Sequence, residues 1–284
     1  GTPAMITHFK IRGKKNWGRS AALIRRIDEA RAAGIDVTMA QYPYTAGSTF
    51  LHVVIPPWYH SRGVDGLLRA LREERGAIKH DLDTRMDWEN FSQSVGWEKI
   101  FVSSVVSEAN QPCVGKSISQ IAAERGHADP ADAAFDLLVE EQLAVGMISF
   151  GLDEADITAI MRHPAVSFIT DGLMSGRPHP RAYATYPRIL GRYVREQGVL
   201  SLEEAVRKMT SLPARKIRLR NKGVIAEGYD ADLVVFDPDT VIDKNSYDDP
   251  RVHPAGIAHV LVNGVFVVED AALTGARPGR VIRD

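Results

Sequence analysis

Two short apolar runs, Ala4-Met5-Ile6 and Ile35-Asp36-Val37-Thr38-Met39-Ala40, flank a stretch over residues 18–33 in which Leu23, Ile24, Ile27 and Ala30 recur at helical spacing. Gly34 follows that stretch and supplies a C-terminal stop. Strand, helix and strand within about 35 residues make a βαβ unit, which implies a parallel sheet. The chain is therefore read as α/β, with its chemistry expected at the carboxyl ends of the strands. Both runs do end in polar residues: Thr7-His8-Phe9-Lys10 after the first, Tyr42-Pro43-Tyr44-Thr45-Ala46-Gly47-Ser48-Thr49 after the second.

The alternation breaks over residues 55–110, which are rich in Trp, charges and turn residues and hold one clear helix near 64–75. This segment reads as an insertion over the sheet and a candidate lid. Alternation is expected to resume with helices near 117–125 and 130–141, a strand near 145–150, a helix near 154–162 and a strand at 165–170 that delivers Asp171-Gly172. Helices are expected near 188–197, 202–209 and 213–219. Beyond residue 220 the text turns β-rich, through Gly223-Val224-Ile225, Ala231-Asp232-Leu233-Val234-Val235-Phe236 and a strong hairpin turn at Asn263-Gly264.

Charge narrows the partners. Lys and Arg number 35 against 36 Asp and Glu, a net −1, so the chain lacks the basic excess that a general nucleic-acid or anionic-membrane binder needs. No apolar run approaches the roughly 20 residues of a membrane span. A small-molecule partner is expected, and the single cysteine, Cys113, makes a reducing cytoplasmic setting the default. Cys113 has no His or Cys at metal spacing and reads as a buried structural thiol.

Three polar clusters follow the strand ends. His8 is either a metal ligand or a hydrogen-bonded structural residue, and alternation places Lys10 on its side of the strand, where a cation suits an anionic substrate group. The Tyr42 to Thr49 block can cradle a carboxylate or form a packed aromatic turn. Asp171 can bind metal, act as a general base or cap a helix, while Arg181 can return to bind a carboxylate bidentately.

Taken in order, Thr7-His8-Phe9-Lys10, Asn16-Trp17-Gly18-Arg19-Ser20, the Tyr42 to Thr49 block, Asp171-Gly172, His179-Pro180-Arg181-Ala182-Tyr183 and the tail from Gly223 to Phe236 resemble the N-acyl-D-amino-acid deacylases (D-aminoacylases) of the amidohydrolase superfamily. The likeness runs along essentially the whole chain. It implies the C-terminal part of a metal-dependent (β/α)8 TIM barrel with an inserted lid and a small β-sandwich. The expected divisions are barrel elements over 1–54, the lid over 55–110, further barrel over 111–220 and the sandwich over 221–284. Carried over by residue, His8 and Asp171 would bind zinc, Asp171 would also move the proton, and Lys10, Tyr42, Ser48 and Arg181 would hold the substrate's α-carboxylate.

The family's remaining metal ligands precede the segment that matches Gly1. The resemblance therefore implies an N-terminal chain or fragment of the same enzyme that completes the barrel, with a break at Gly1-Thr2-Pro3. The expected reaction is hydrolysis of N-acyl-D-amino acids. A cyclic amidase of the hydantoinase or dihydroorotase kind and a catalytically inactive scaffold are the alternatives.

Overall fold

In the computed structural model, which describes residues 2–282, strand Val37–Gln41 lies between Ala4–Ile6 and Val166–Phe168, parallel to both. Every residue of the central strand is buried, as a strand covered on both faces must be. Gly1, where the expected break falls, and residues 283–284 of the tail lie outside the described residues.

Helix Ser20–Ala32 connects the first two strands, and its start is held from a distance. Its own N-cap side chain makes no capping bond; instead the buried Asp156 carboxylate accepts from Gly18 N at 2.8 Å and Ser20 N at 3.1 Å. Negative charge at a helix N-terminus meets orphan amides and the helix dipole. Asp156 belongs to helix Glu154–Met161, so one carboxylate fastens the two helices together.

The chain leaves this parallel layer earlier, and returns later, than the sequence suggested. Ala46–Phe50 pairs antiparallel with Gly146–Phe150, Ala46 facing Phe150 and Phe50 facing Gly146, and Ile100–Ser104 pairs on the other side of Gly146–Phe150. Residues 111–150, expected to continue the parallel layer, instead share a core with the insertion. Leu67, Leu71, Ile78, Ile100, Ile118, Phe135, Leu138 and Met147 fall in one buried cluster, together with Cys113. Apolar periodicity marks a strand but not its neighbour, which is why Gly146–Phe150 read as a barrel strand. Residues 55–110 hold more helix than the one expected near 64–75: Pro57–His60, Arg75–Thr84 and Phe91–Val95 accompany Gly63–Glu73, while Ile118–Arg125 and Pro130–Glu140 fall where helices were expected.

A buried Glu141 ties this excursion together. Its carboxylate accepts from Val106 N at 2.6 Å, Ser107 N at 3.0 Å and Asn110 Nδ2 at 2.7 Å, and from the Ser107 hydroxyl. Burial alone would raise its pKa, but these donors favour the carboxylate and hold it down to about 2.

Helix Arg181–Arg188 starts earlier than the expected 188–197 helix, is broken at Ala184 and contains Pro187; a π-helical turn, Ile189–Glu196, continues it. The tail forms a four-stranded antiparallel sheet of Leu233–Phe236, Ile257–Val262, Val265–Glu269 and Ala272–Leu273. Asn263 and Gly264 take φ of 48° and 77°, as the expected hairpin requires, whereas Gly223-Val224-Ile225 forms no strand. No strand residue of this sheet is fully buried, and Val234 and Leu273 are 56% and 73% exposed. No described helix is long and apolar enough to cross a membrane.

Replacing Glu141 by Gln should destabilise the fold by about 3 kcal/mol at neutral pH. A depressed pKa stabilises above the unfolded value, so the gap from wild type in denaturant midpoint should shrink as pH falls from about 4.5 towards about 2. A gap that stays constant over that range would contradict the assignment.

Candidate functional site

Past strand Ala4–Ile6 the chain alternates in burial: Phe9 and Ile11 enter the core, while His8, Lys10 and Arg12 share the opposite side. His8 is exposed and held at φ 40°, a left-handed conformation that costs a non-glycine residue about 1 kcal/mol. Lys10 Nζ folds back on it, 2.9 Å from its carbonyl and 3.0 Å from its Nδ1. Asp171, at the other strand end, is likewise left-handed, at φ 47°. Strain of this kind collects at functional positions.

Arg181 is the centre of the arrangement. Its side chain is 1% exposed, yet Nη2 alone finds partners: the Asp171 carboxylate at 2.9 Å and the Ser48 carbonyl at 3.2 Å. Nε and Nη1 are buried without a partner. The guanidinium carbon lies 4.3 Å from the Tyr42 ring centroid, and Lys10 Nζ lies 5.6 Å from the same centroid. Burial raises the Tyr42 phenol and lowers Lys10 to about 8, with Arg12 adding to the second effect. Gly47 leaves room for the phenol, since a Cβ there would sit 3.2 Å from Tyr42 Oη.

Arg181 is placed by His179, which is fully buried. His179 Nδ1 accepts from Arg181 N at 3.0 Å, and Nε2 donates to the Ala46 carbonyl at 3.0 Å. One ring nitrogen must accept and the other donate, so the imidazole is neutral, consistent with the burial that drives its pKa well down. The helix carrying Arg181 is thus hung on strand Ala46–Phe50.

His8, Lys10, Tyr42, Ser48, Asp171 and Arg181 therefore form one connected group, Ser48 through its main-chain carbonyl. Two further residues escaped the sequence reading as participants. His179 stood inside a quoted motif without a role, and Arg12 shares the alternating face of His8 and Lys10. That alternation is the signal that could have found it. Of this group only Lys10 lines the neighbouring cleft of about 910 Å³, together with Arg12, Lys15, Arg19, Trp88 and Glu89 among others.

The metal expectation fits less well. His8 offers an imidazole that Lys10 already faces, and Asp171 has one oxygen on Arg181. Among the described residues no three His, Cys, Asp or Glu come together as a metal-holding group, whereas a catalytic zinc ordinarily has three protein ligands. These donors do not make a metal centre by themselves.

A family model described as the amidohydrolase family matches residues 111–268. Over 284 residues the sequence is 38% identical to N-acyl-D-glutamate deacylase of Alcaligenes xylosoxydans xylosoxydans, covering all of this chain and 49% of the relative. D-aminoacylase of the same organism is 36% identical, with 99% and 48% covered. A crystal structure of N-acyl-D-glutamate deacylase from Bordetella bronchiseptica, complexed with zinc and a phosphonate inhibitor, superimposes with a TM-score of 0.78 at 35% identity, covering 100% of this chain and 50% of that one. The chain spans about half the length of the curated relatives it matches.

Truncating His179 to Ala would leave the Arg181 amide and the Ala46 carbonyl unpaired beside a cavity. A loss of about 3 kcal/mol in denaturant unfolding is expected; unchanged stability would contradict the suspension of Arg181 from Ala46.

Proposed function

The chain belongs to the amidohydrolase family, and from that premise we propose that it is the C-terminal portion of a zinc-dependent N-acyl-D-amino-acid deacylase. The observation that carries this reading is the Arg181 guanidinium, buried and with two nitrogens unpartnered, packed on Tyr42 beside Asp171. A buried cation with unsatisfied N–H groups calls for an anion. The α-carboxylate of an N-acyl amino acid meets Arg181 and Lys10 there, with the Tyr42 phenol and the Ser48 segment closing the clamp.

Pinning that carboxylate fixes which face of the amide turns toward Asp171, and so selects one enantiomer. Asp171 keeps Oδ1 outside its pair with Arg181. In the proposed reaction this carboxylate takes a proton from water as the new C–O bond forms. It returns the proton to the departing amine nitrogen as the C–N bond breaks, releasing a carboxylate and a free D-amino acid. His8 and Asp171 are read as two ligands of a zinc centre whose other ligands lie in the remainder of the enzyme, and no step is assigned to the metal from these residues.

The same reading covers the architecture. Strand Ala4–Ile6 is paired on one side only, and the tail sheet has no fully covered strand, both of which suit half of a (β/α)8 barrel and part of a β-sandwich joined by an N-terminal portion. The lid is read as residues 46–150, the parallel barrel elements as 2–45 and 151–220, and the sandwich contribution as beginning at 221. A cytoplasmic setting belongs to the proposal, supported by the free, buried Cys113.

In the enzyme that contains this chain, Arg181→Ala and Lys10→Ala should each lower kcat/KM for N-acetyl-D-methionine by about 100-fold, the scale of a lost charge-assisted hydrogen bond. Asp171→Asn should abolish kcat with little change in substrate binding. Retention of activity on hydantoins with loss on N-acetyl-D-amino acids nowhere among the variants would overturn the clamp and favour a cyclic amidase.

A further inference from the structure

The connection over residues 237–256, between tail strands Leu233–Phe236 and Ile257–Val262, reaches back to the segments that carry the clamp. Its start is anchored where Arg195 Nη1 donates to the carbonyl of the buried Val241 at 2.6 Å. Asp243 then accepts from Arg188 Nη1 at 2.7 Å, and the same guanidinium donates through Nε to the Pro43 carbonyl at 3.0 Å. Asn245 Nδ2 donates to the Pro180 carbonyl at 2.9 Å and to the Pro250 carbonyl at 3.0 Å. Tyr247 packs edge-on against the His179 ring, with centroids 5.1 Å apart, and against Phe150 at 4.7 Å. Asp248 pairs with Arg177, and Arg251 Nη2 donates to the Gly176 carbonyl at 2.5 Å.

These contacts fall beside the clamp residues, not on them. Pro43 follows Tyr42, and Pro180 precedes Arg181. The peptide group that joins Pro180 to Arg181 is held at both ends: its N–H by His179 Nδ1 at 3.0 Å, its carbonyl by Asn245 as well as by Tyr183 N and Ala184 N of the helix. The contacts differ in weight. Asp248 is 95% exposed, so its pair with Arg177 holds little, whereas the Asp243 and Arg188 side chains are 9% and 18% exposed and keep their bond largely out of water.

We propose that residues 243–251 are a strap that positions the clamp, with Asn245 and Tyr247 the positioning residues that aim Arg181 at the substrate's α-carboxylate. The inference rests on the deacylase reading and deepens it. No strap residue has to touch the substrate. Removing one leaves every charge of the clamp in place but frees the backbone from which the guanidinium hangs. Charge-assisted bonds from a planar guanidinium are demanding in direction, so the bond to the carboxylate weakens as the aim is lost. The tail sheet thereby takes part in substrate binding through its longest connection.

Titration calorimetry on the enzyme that contains this chain, with N-acetyl-D-methionine and N-acetyl-D-methioninamide, tests the strap. The preference for the acid over the amide should fall about fivefold in Asn245→Ala and by a similar factor in Tyr247→Ala, the scale of one hydrogen bond. Tyr247→Phe, which keeps the ring on His179 and Phe150, should retain the preference. A substitution that only destabilises the fold lowers the number of binding sites per chain and leaves the ratio of affinities alone. An unchanged ratio in both alanine variants therefore overturns the proposal, and where Asn245→Ala does not fold, the Tyr247 pair decides it. A wild type that binds acid and amide equally overturns the clamp and the strap with it. Acetate release reports the deacylase reading separately: a wild type that prefers the acid but releases no acetate from it overturns that reading, and the strap is still judged by the ratio.

Discussion

A guanidinium removed from water and given too few partners organises this molecule. Arg181 reaches its position because His179 hangs its backbone from Ala46, because Gly47 makes room for the Tyr42 phenol, and because Asp171 turns into a left-handed conformation to meet it. Each of these costs free energy: a buried imidazole kept neutral, a non-glycine residue at positive φ, two N–H groups without acceptors. Such costs accumulate where the fold is shaped to receive something from outside.

The excursion over residues 46–150 follows from the same requirement. Strand Ala46–Phe50 is at once the edge on which His179 and Arg181 rest and the strand that closes the excursion against Gly146–Phe150. The strand that holds the excursion's sheet together therefore also fixes the position of Arg181. Arg12 joins the two regions from the other side, lying on Phe91 and Ser149 of the excursion while sharing a face with Lys10.

Much of this was legible in the order of residues, and the reasons are local. The βαβ unit over residues 4–40 follows from helical spacing between two apolar runs, and the turn at Asn263-Gly264 from the φ values only those residues adopt readily. That His8 and Lys10 share a side was legible from alternation past a strand end, while Tyr42, Ser48, Asp171 and Arg181 were marked as candidates by the ordered motifs that carry the resemblance. What stayed hidden depends on distant pairing. The amides of Gly18 and Ser20 are satisfied by Asp156, separated by 138 and 136 residues, and no periodicity reports such a bond. Gly146–Phe150 has the apolar character of a barrel strand, and only its antiparallel register against Ala46–Phe50 shows that it belongs to the excursion. The burial of Arg181 was invisible for the same reason, since its sequence neighbours are those of an ordinary helix start.

The central claim is that the buried Arg181 and the half-buried Lys10, both beside Tyr42, receive the α-carboxylate of the proposed substrate. Calorimetric titration of the enzyme with N-acetyl-D-methionine and with N-acetyl-D-methioninamide, in which that carboxylate alone is replaced by a neutral amide, tests it most directly. The account predicts binding of the acid at least about tenfold more tightly than the amide. Equal affinities would contradict it, because a guanidinium with two idle donors would then be indifferent to the anion it is held to await.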